Sequence, residues 1–486
     1  MTGLLSGSAR RWVLLVVISM AQLMVVLDAT IVNIALPSAQ RDLGFGDADR
    51  QWIVTAYALA FGSMLLLGGR LGDAFGRKWT FITGAVGFAT ASAVGGAAQS
   101  FGMLAGSRAA QGVFGALLAP AALSLVATTF RDPAERNKAF AVFGAIASSG
   151  ASIGLILGGV LTQVLDWRYS MYVNVVFAAV SGIGAVLLID DAGRGDRAGL
   201  DLVSVTTVTA GLFGVVFGFS HAETASWTSP VTVGALTAGL TLLVLFVLWQ
   251  AKIARPLLPL RVVLDRDRGM SFVSIAVVGA GIFAVFIFLT YYLQQIRGFS
   301  PITTGVAYLP MTVSLVIASV IGNIVLRPRY GVRPVIATGL LITGAGLLWL
   351  TRLDLTSGYA TAVLPALVLL GAGLGLIASS AFTTATAGVE PHDAGVASAM
   401  VTASQQVGGS LGVAALSTVA INSAHGFAAG RHAALVATQA TVHGYTTAFG
   451  YAAAIFLAGA VLAALVYGRH PVGVPVAHVA AAPSMG

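Results

Sequence analysis

Apolar runs of about twenty residues recur along the whole of this chain and alternate with short polar or charged segments. A run of that length is enough for one helix to cross the hydrocarbon core of a bilayer. We therefore predict an all-α polytopic membrane protein with fourteen transmembrane helices. The predicted spans are 12–34, 50–69, 79–98, 102–127, 138–162, 169–189, 201–220, 230–250, 269–293, 303–326, 332–351, 360–384, 394–422 and 447–468.

Two loops of related sequence indicate a repeat within this series of spans. GRLGDAFGRK (Gly69 to Lys78) follows span 2, and GNIVLRPRYGVRP (Gly322 to Pro334) follows span 10. Such repeats are common in transporters, which bind substrate near the midplane where the repeats meet. We expect a six-helix half over 1–190, two inserted helices with linkers over 191–260, a second six-helix half over 261–470 and a disordered tail over 471–486.

Composition agrees with a membrane protein, since 57% of residues are hydrophobic, 9% are charged and the mean hydropathy is +0.90. The net charge of +8 would suggest nucleic acid for a soluble protein. Here most Lys and Arg lie in loops on one side of the spans, as in the cytoplasmic loops of membrane proteins. We expect a multi-pass protein of the bacterial cytoplasmic (inner) membrane, with both termini in the cytoplasm and no nucleic-acid partner.

The sequence lacks the motifs expected for thiol chemistry and for phosphate or dinucleotide binding. The chain has no cysteine, which excludes disulfides, thiolate metal sites and a cysteine nucleophile. No GxxxxGKS or GxxxxGKT phosphate-binding loop occurs. The runs GAGLG (Gly371 to Gly375) and QQVGGSLG (Gln405 to Gly412) lie within apolar helices, which favours helix packing over dinucleotide binding. We therefore expect no enzyme, no cofactor and no metal.

Asp28 is the only carboxylate well inside a predicted span, and Arg108 is the only basic residue at similar depth. A charge there costs roughly 2.5–3.5 kcal/mol on insertion scales and usually marks an ion or proton path. At ~1.5 Å per residue both lie roughly 9–14 Å below the same bilayer surface, so they could meet. The pair would take part in proton coupling, and Arg108 could equally bind an anion or a carbonyl group. The alternative is a permanent structural ion pair. Pro37 is expected to end or kink span 1.

Five motifs occur in a consistent order along almost the whole chain. They are LDATIVNIALP (Leu27 to Pro37), the loop Gly69 to Lys78, LAGSRAAQGVFGA (Leu104 to Ala116), DWRYSMYVN (Asp166 to Asn174) and AGVASAMVTASQQVGGSLGVA (Ala394 to Ala414). Together they resemble the fourteen-helix drug:proton antiporter branch of the major facilitator superfamily. The resemblance implies export of drugs by alternating access, driven by protons.

The loop after span 2 is similar to the superfamily motif GxLaDrxGrk. The resemblance implies a gating latch that stabilises one state of the transport cycle, whereas the alternative is an ordinary solvated basic loop. Ala74 replaces a basic residue that is usual in the motif. The latch residues would be Gly69, Asp73, Gly76, Arg77 and Lys78.

Span 5 departs from the antiporter signature GxxxGPxxGG, because GASIGLILGG (Gly150 to Gly159) has Leu155 where proline is expected. The glycines still allow close helix packing, whereas the kink and the free carbonyl of a proline are absent. The departure bears on coupling more than on the fold. The packing residues would be Gly150, Gly154, Gly158 and Gly159.

Aromatic and polar side chains within the spans could line a substrate cavity, where rings would stack on lipophilic or cationic compounds. The same rings could instead face lipid, and Gln405 could bridge two helices. The candidates are Asn33, Trp52, Tyr57, Phe61, Gln111, Phe283, Tyr291 and Gln405.

We expect a monomeric, proton-coupled secondary exporter of hydrophobic or cationic drugs and antibiotics. Its partners would be a small lipophilic substrate, protons and the lipid bilayer. A narrow-specificity exporter of an endogenous metabolite or self-made antibiotic is the nearest alternative. A non-transporting membrane sensor is an alternative of another class, and it would give no substrate flux in liposomes containing only this protein.

Overall fold

The computed structural model describes residues 7–130, 132–189, 201–224, 226–253, 256–387, 389, 394–429 and 436–468. Every regular element within these ranges is helical, and a short helix, Leu260–Val263, precedes α9. The predicted tail 471–486 and most of the predicted linker before span 7 lie outside the described residues. The long helices are α1 Gly7–Leu43, α2 Asp47–Phe75, α3 Arg77–Gly96, α4 Phe101–Thr129, α5 Pro133–Val160, α6 Tyr169–Leu188, α7 Leu202–Thr224, α8 Pro230–Gln250, α9 Arg266–Ile296, α10 Pro301–Tyr330, α11 Val332–Leu350, α12 Tyr359–Thr386, α13 Ala394–Ala428 and α14 Val436–Val466.

Ten of these described helices are long and apolar enough to cross a membrane: α1, α4, α6 and α8 to α14. Shorter apolar stretches are Ile153–Leu165, which runs from the end of α5 into the π-helical segment Leu161–Leu165, and Val203–Phe219 in α7. A helix satisfies its backbone N–H and C=O groups internally, which is why apolar spans in lipid are helical. The predicted all-α polytopic membrane fold is confirmed.

Helix α1 does not end at Pro37, although the sequence allowed for an end there. The helix continues to Leu43, and Arg41 Nε donates a hydrogen bond to the carbonyl oxygen of Pro37 at 3.3 Å. Proline has no N–H, so the carbonyl of Asn33 loses its usual helical partner. Packing of the buried Leu36 offsets this loss, because tertiary contacts supply most of a helix's stability.

Four glycines with positive φ angles form matching turns in the two predicted halves. Gly44 (φ +69°) follows α1 and Gly298 (φ +68°) follows α9. Gly76 (φ +94°) joins α2 to α3, and Gly331 (φ +82°) joins α10 to α11. Residues with side chains rarely adopt this conformation. The matched turns support the predicted repeat, and they define a Gly44 end of the bundle, with Gly44 and Gly298, and an opposite Gly76 end, with Gly76 and Gly331.

The two glycine-rich runs pack tightly against neighbouring helices. A Cβ atom added at Gly371 in α12 would lie 2.1 Å from the carbonyl oxygen of Met311 in α10. One added at Gly408 in α13 would lie 2.1 Å from the carbonyl oxygen of Ala276 in α9. Small residues allow this close backbone approach, which stabilises helix pairs in lipid. The predicted role in helix packing is confirmed for both runs.

The glycines of α5 contact two different helices. A Cβ atom at Gly154 would lie 2.1 Å from the Thr30 hydroxyl of α1, and one at Gly159 would lie 2.7 Å from the Pro301 carbonyl oxygen of α10. Leu155, at the proline position of the motif, is fully buried. Three glycines of α5 lie against α1 and the fourth against α10; in chain order they are Gly150, Gly154, Gly158 and Gly159.

Gly371→Ala tests this close packing. The added methyl group would meet the backbone of α10, which cannot move without shifting the whole helix, so we expect the melting temperature of the purified protein to fall by several degrees. Gly106→Ala is the matched control, because no described atom lies within 4 Å of its added Cβ and alanine favours a helix by roughly 0.5–1 kcal/mol. Equal melting temperatures for the two variants would contradict the packing account.

Candidate functional site

The carboxylate of Asp28 is fully buried and is paired with Arg108. Asp28 is 0% exposed and Arg108 is 1% exposed, and Arg108 Nη1 lies 2.5 Å from Asp28 Oδ2. Helices α1 and α4 bring the two side chains together at the similar depth that the sequence indicated. A buried pair of this kind needs further hydrogen bonds, because the charges have lost their contact with water.

The second carboxylate oxygen of Asp28 accepts hydrogen bonds from two side-chain amides. Asn174 Nδ2 of α6 lies 2.7 Å from Asp28 Oδ1, and Gln111 Nε2 of α4 lies 3.0 Å from it. Both amide nitrogens also reach the hydroxyl oxygen of Ser92 in α3, at 3.1 Å and 2.5 Å respectively. The Asp28 cluster therefore comprises side chains from four helices: Asp28, Ser92, Arg108, Gln111 and Asn174.

Arg108 connects this cluster to a fifth helix. Its Nε donates to the carbonyl oxygen of Ile53 in α2 at 3.1 Å, and its Nη1 donates to Gln111 Oε1 at 2.8 Å. Its Cζ lies 4.4 Å from the centre of the Tyr57 ring. The planar guanidinium group thus combines directed hydrogen bonds with a cation–π contact.

Proton binding at Oδ1 of Asp28 would require the cluster to rearrange. Asp28 accepts hydrogen bonds from Arg108, Gln111 and Asn174. A protonated carboxyl group has one O–H donor and a reduced capacity to accept. Because Oδ1 already accepts from both Gln111 and Asn174, a proton on Oδ1 would displace one of these two donors, which would couple protonation of that oxygen to the packing of α4 or α6.

The sequence singled out some of this cluster and missed the rest. Asp28, Arg108, Gln111 and Tyr57 were all candidates, and the structure places them in contact. Asn174 had appeared only as the last residue of DWRYSMYVN, which was a usable signal. Ser92 had no signal, because it is a single serine in a span rich in alanine and glycine.

The remaining cavity candidates are dispersed. Trp52 turns towards α7, with its ring 6.3 Å from that of Phe217, and Phe61 packs 5.7 Å from Tyr57. Asn33 Nδ2 donates to the carbonyl oxygen of Ala29 at 2.8 Å. Tyr291 lies at the Gly44 end and Gln405 is half-buried in α13, while the side chain of Phe283 lies outside the described part of the structure.

The loop after α2 contacts the end of α6. Lys78 Nζ donates to the carbonyl oxygens of Ile189 at 2.7 Å and Val186 at 3.3 Å. Arg10 Nη2 donates to the neighbouring carbonyl oxygen of Leu188 at 3.1 Å. Cations at the C-terminal end of a helix satisfy its free carbonyls and its dipole. In this state Lys78 therefore binds within the first predicted half, and the side chain of Asp73 lies outside the described residues.

The DWRYSMYVN motif also closes the Gly44 end of the first half. Arg168 Nη1 lies 2.5 Å from Asp42 Oδ2, and Trp167 Nε1 donates to the same oxygen at 3.0 Å. Arg168 Nη2 donates to the carbonyl oxygen of Ala98 at 2.9 Å. The hydrogen bond to Asp42 raises the pKa of the Arg168 guanidinium group.

Residues 18–413 match the sequence model of the Major Facilitator Superfamily. The chain belongs to that superfamily. It is 48% identical over 457 residues to the puromycin resistance protein of Streptomyces alboniger, across 93% of this chain and 91% of that protein. It is 34% identical over 421 residues to the cephamycin export protein of Amycolatopsis lactamdurans, across 86% of this chain and 87% of that protein.

Solved structures agree on the fold. An auto-inhibited peptide transporter of the POT family superimposes with a TM-score of 0.68 over 95% of this chain and 98% of that one, at 18% sequence identity. Identity this low shows the fold alone. Together with the relatives named for antibiotic resistance and export, it confirms that this chain is a polytopic membrane transporter of small molecules, as the motifs predicted.

Proposed function

We propose that this protein is a proton-coupled exporter of hydrophobic or cationic drugs and antibiotics, working by alternating access. The observation that carries the proposal is the buried Asp28 carboxylate, which accepts hydrogen bonds from three side chains on two other helices. No other carboxylate lies deep in a predicted span of the sequence. Intramembrane acids in this setting commonly carry protons.

Contacts between the halves at the Gly44 end support alternating access. The guanidinium group of Arg50 in α2 lies 4.3 Å from the centre of the Tyr291 ring of α9. Its Nη1 donates to the Tyr445 hydroxyl of α14 at 3.1 Å, and Tyr291 donates to Gln40 of α1 at 2.5 Å. These bonds link the two halves at this end and would break when a path opens there.

The distribution of basic residues supports an orientation for the cycle. Most Lys and Arg of the sequence lie in segments on the side of the Gly76 end, and the positive-inside rule assigns that end to the cytoplasm. Both termini would then be cytoplasmic, and the Gly44 end would face the outside of a bacterial cytoplasmic membrane. The exporter would work as a monomer, with no enzymatic activity and no cofactor.

The loop after α2 would act as a latch at the cytoplasmic end. Lys78 ties the start of α3 to the end of α6, so the latch would hold the first half as one body while the halves move. Gly76 supplies the left-handed turn that places Lys78 there. In chain order the proposed latch comprises Gly69, Asp73, Gly76, Arg77 and Lys78.

A narrow-specificity exporter of one self-made antibiotic is a second candidate. The names of two relatives favour it, because each mentions a single antibiotic. The Streptomyces alboniger protein is named for puromycin and the Amycolatopsis lactamdurans protein for cephamycin. Efflux assays with a panel of unrelated lipophilic cations and neutral antibiotics distinguish the two. Transport of one chemical class alone would favour the narrow exporter.

Asp28→Asn tests proton coupling. We expect the variant to lose export driven by a pH gradient in proteoliposomes, measured with puromycin and with ethidium, because the amide cannot bind a proton near neutral pH. Asp132→Asn is the control, since this exposed carboxylate caps α5 and asparagine caps equally well.

Breaking a buried ion pair costs about 3–5 kcal/mol, so Asp28→Asn alone could lower the yield of folded protein. The double variant Asp28→Asn with Arg108→Gln removes both charges, and we expect it to recover folding without recovering export. Export at the wild-type rate in either variant would contradict the proposed coupling. An absence of flux from the wild-type protein would instead favour a sensor.

One buried carboxylate most simply exchanges one proton in each cycle. A monovalent cation exchanged for one proton moves no net charge, so ethidium export should respond to the pH gradient and ignore the membrane potential. Export of a neutral drug in exchange for one proton moves one net charge across the membrane. At ~2.3 kcal/mol per charge, a potential of about 100 mV could then sustain roughly a 50-fold concentration gradient of the drug. The measurement is export from proteoliposomes in which valinomycin and a potassium gradient impose a membrane potential at equal pH on both sides. Ethidium export driven by this potential alone would exclude the exchange of one proton per cycle.

Arg50→Met tests the contact that closes the Gly44 end. A desolvated cation–π contact is worth about 2 kcal/mol, so its loss should raise the open population about tenfold or more. The chain has no cysteine, so a single Asn33→Cys substitution can report opening of this end. Position 33 lies two helical turns from Gln40 on the same side of α1. The readout is its rate of labelling by an impermeant maleimide added outside intact cells. Arg41→Met is the control, because its recorded bonds stay within α1. Equal labelling rates for both would contradict the proposed gate.

A further inference from the structure

Asn174 has an unpaired hydrogen-bond acceptor beside the proposed proton site. The residue is 0% exposed, and its Nδ2 donates to Asp28 Oδ1 at 2.7 Å. Its Oδ1 is also buried and has no hydrogen-bond partner among the described residues. An unpaired buried acceptor costs stability, so its presence in a cluster this well bonded calls for a reason.

The two amides around Asp28 differ in their freedom to turn. Gln111 Oε1 accepts from Arg108 at 2.8 Å, and Arg108 can only donate, so the orientation of the Gln111 amide is fixed. Nothing described fixes Asn174 in the same way. A half-turn about its Cβ–Cγ bond exchanges the positions of Oδ1 and Nδ2 and presents an acceptor to Asp28 instead of a donor.

The two protonation states of Asp28 need opposite partners. An ionised carboxylate only accepts hydrogen bonds, whereas a carboxylic acid also has one O–H group to donate. Ser92 lies 3.1 Å from Asn174 Nδ2, and its hydroxyl can either accept from the amide or donate to it. The turned amide would therefore keep a partner on that side.

We propose that Asn174 is a positioning residue that adapts its hydrogen bond to the proton on Asp28, donating from Nδ2 to the carboxylate and accepting at Oδ1 from the acid. The inference rests on the proposed function, because it assumes that Asp28 exchanges protons. The residue binds neither substrate nor proton. It would give both states of Asp28 a hydrogen-bond partner from one fixed position in α6, and the turned Nδ2 would lie where Oδ1 now has no partner.

None of the other described groups around Asp28 has both a bond to the carboxylate and an unused acceptor. Arg108 of α4 is the charged partner in direct contact, and Tyr57 of α2 covers the guanidinium group of Arg108. Helix α3 contributes Ser92, and α5 approaches α1 through glycines. Among the described side chains recorded against Asp28, only the Asn174 amide combines a bond to the carboxylate with an unused acceptor.

Asn174→Val and Asn174→Thr form a matched pair for the test. The two side chains have nearly the same shape, but only threonine has a hydroxyl that can both donate and accept. Ser181→Ala is the control, because Ser181 lies on the same helix, is buried, and has no recorded partner among the described residues. The measurement is the protonation of Asp28 in purified protein, followed by the infrared C=O band that Asp28→Asn abolishes.

We expect Asn174→Val to move the midpoint of this titration upwards by about one pH unit. The lost bond to the charged carboxylate is stronger than the lost bond to the neutral acid, so the valine favours the protonated form. The C=O band should also move to higher frequency, because the acid O–H loses its acceptor. Asn174→Thr should shift the midpoint by less than Asn174→Val, because its hydroxyl lies one bond closer to the backbone and only partly replaces the lost hydrogen bond. Ser181→Ala should retain the wild-type midpoint.

Three results would overturn the proposal. They are an unchanged midpoint in Asn174→Val, an equal shift in Asn174→Thr, or a loss of thermal stability in Asn174→Val without any change in the titration or the band. The titration needs no transport. A normal titration with no substrate flux would therefore refute the exporter and leave this inference standing.

Discussion

The buried ion pair between Asp28 and Arg108 is the constraint that fixes how α1, α2, α3, α4 and α6 meet. Neither charge touches water, so each depends on the other and on the polar groups around the pair. Satisfying them brings α1, α3, α4 and α6 to one point, and the bond from Arg108 to the Ile53 carbonyl adds α2. Apolar side chains alone would not specify this arrangement, because lipid tails solvate them equally well.

Helix α1 has two faces that are held by different kinds of contact. One face carries Asp28 and is held by directed hydrogen bonds. The other packs on Gly154 of α5 through close van der Waals contact, with Thr30 bonded only to carbonyls of its own helix. Directed hydrogen bonds thus hold one face of α1, and close packing on glycines holds the other.

Hydropathy predicted the helices and the depth of the charged residues, since both depend only on position along the chain. It could not predict which way each side chain points around its helix. Trp52 and Tyr57 share α2, yet five residues turn the direction by about 140°, so one ring meets α7 and the other meets Arg108. The contacts of Ser92 and Asn174 could not be predicted for the same reason, because they form only where α1, α3, α4 and α6 meet. Pro37 does not end α1, because tertiary packing can outweigh the local effect of a proline.

The DWRYSMYVN motif would let the predicted first half move as one body in the proposed cycle. Within a few residues it supplies Arg168, bonded to Asp42 at the Gly44 end of α1, and Asn174, bonded to Asp28 deeper in the same helix. Helices α1 and α6 are thus joined at two depths, which resists any opening between them. At the same end, Arg50 of α2 contacts tyrosines of α9 and α14 across the predicted halves. In the proposed cycle a path at the Gly44 end would open between the predicted halves, where those bonds lie, while α1 stays joined to α6.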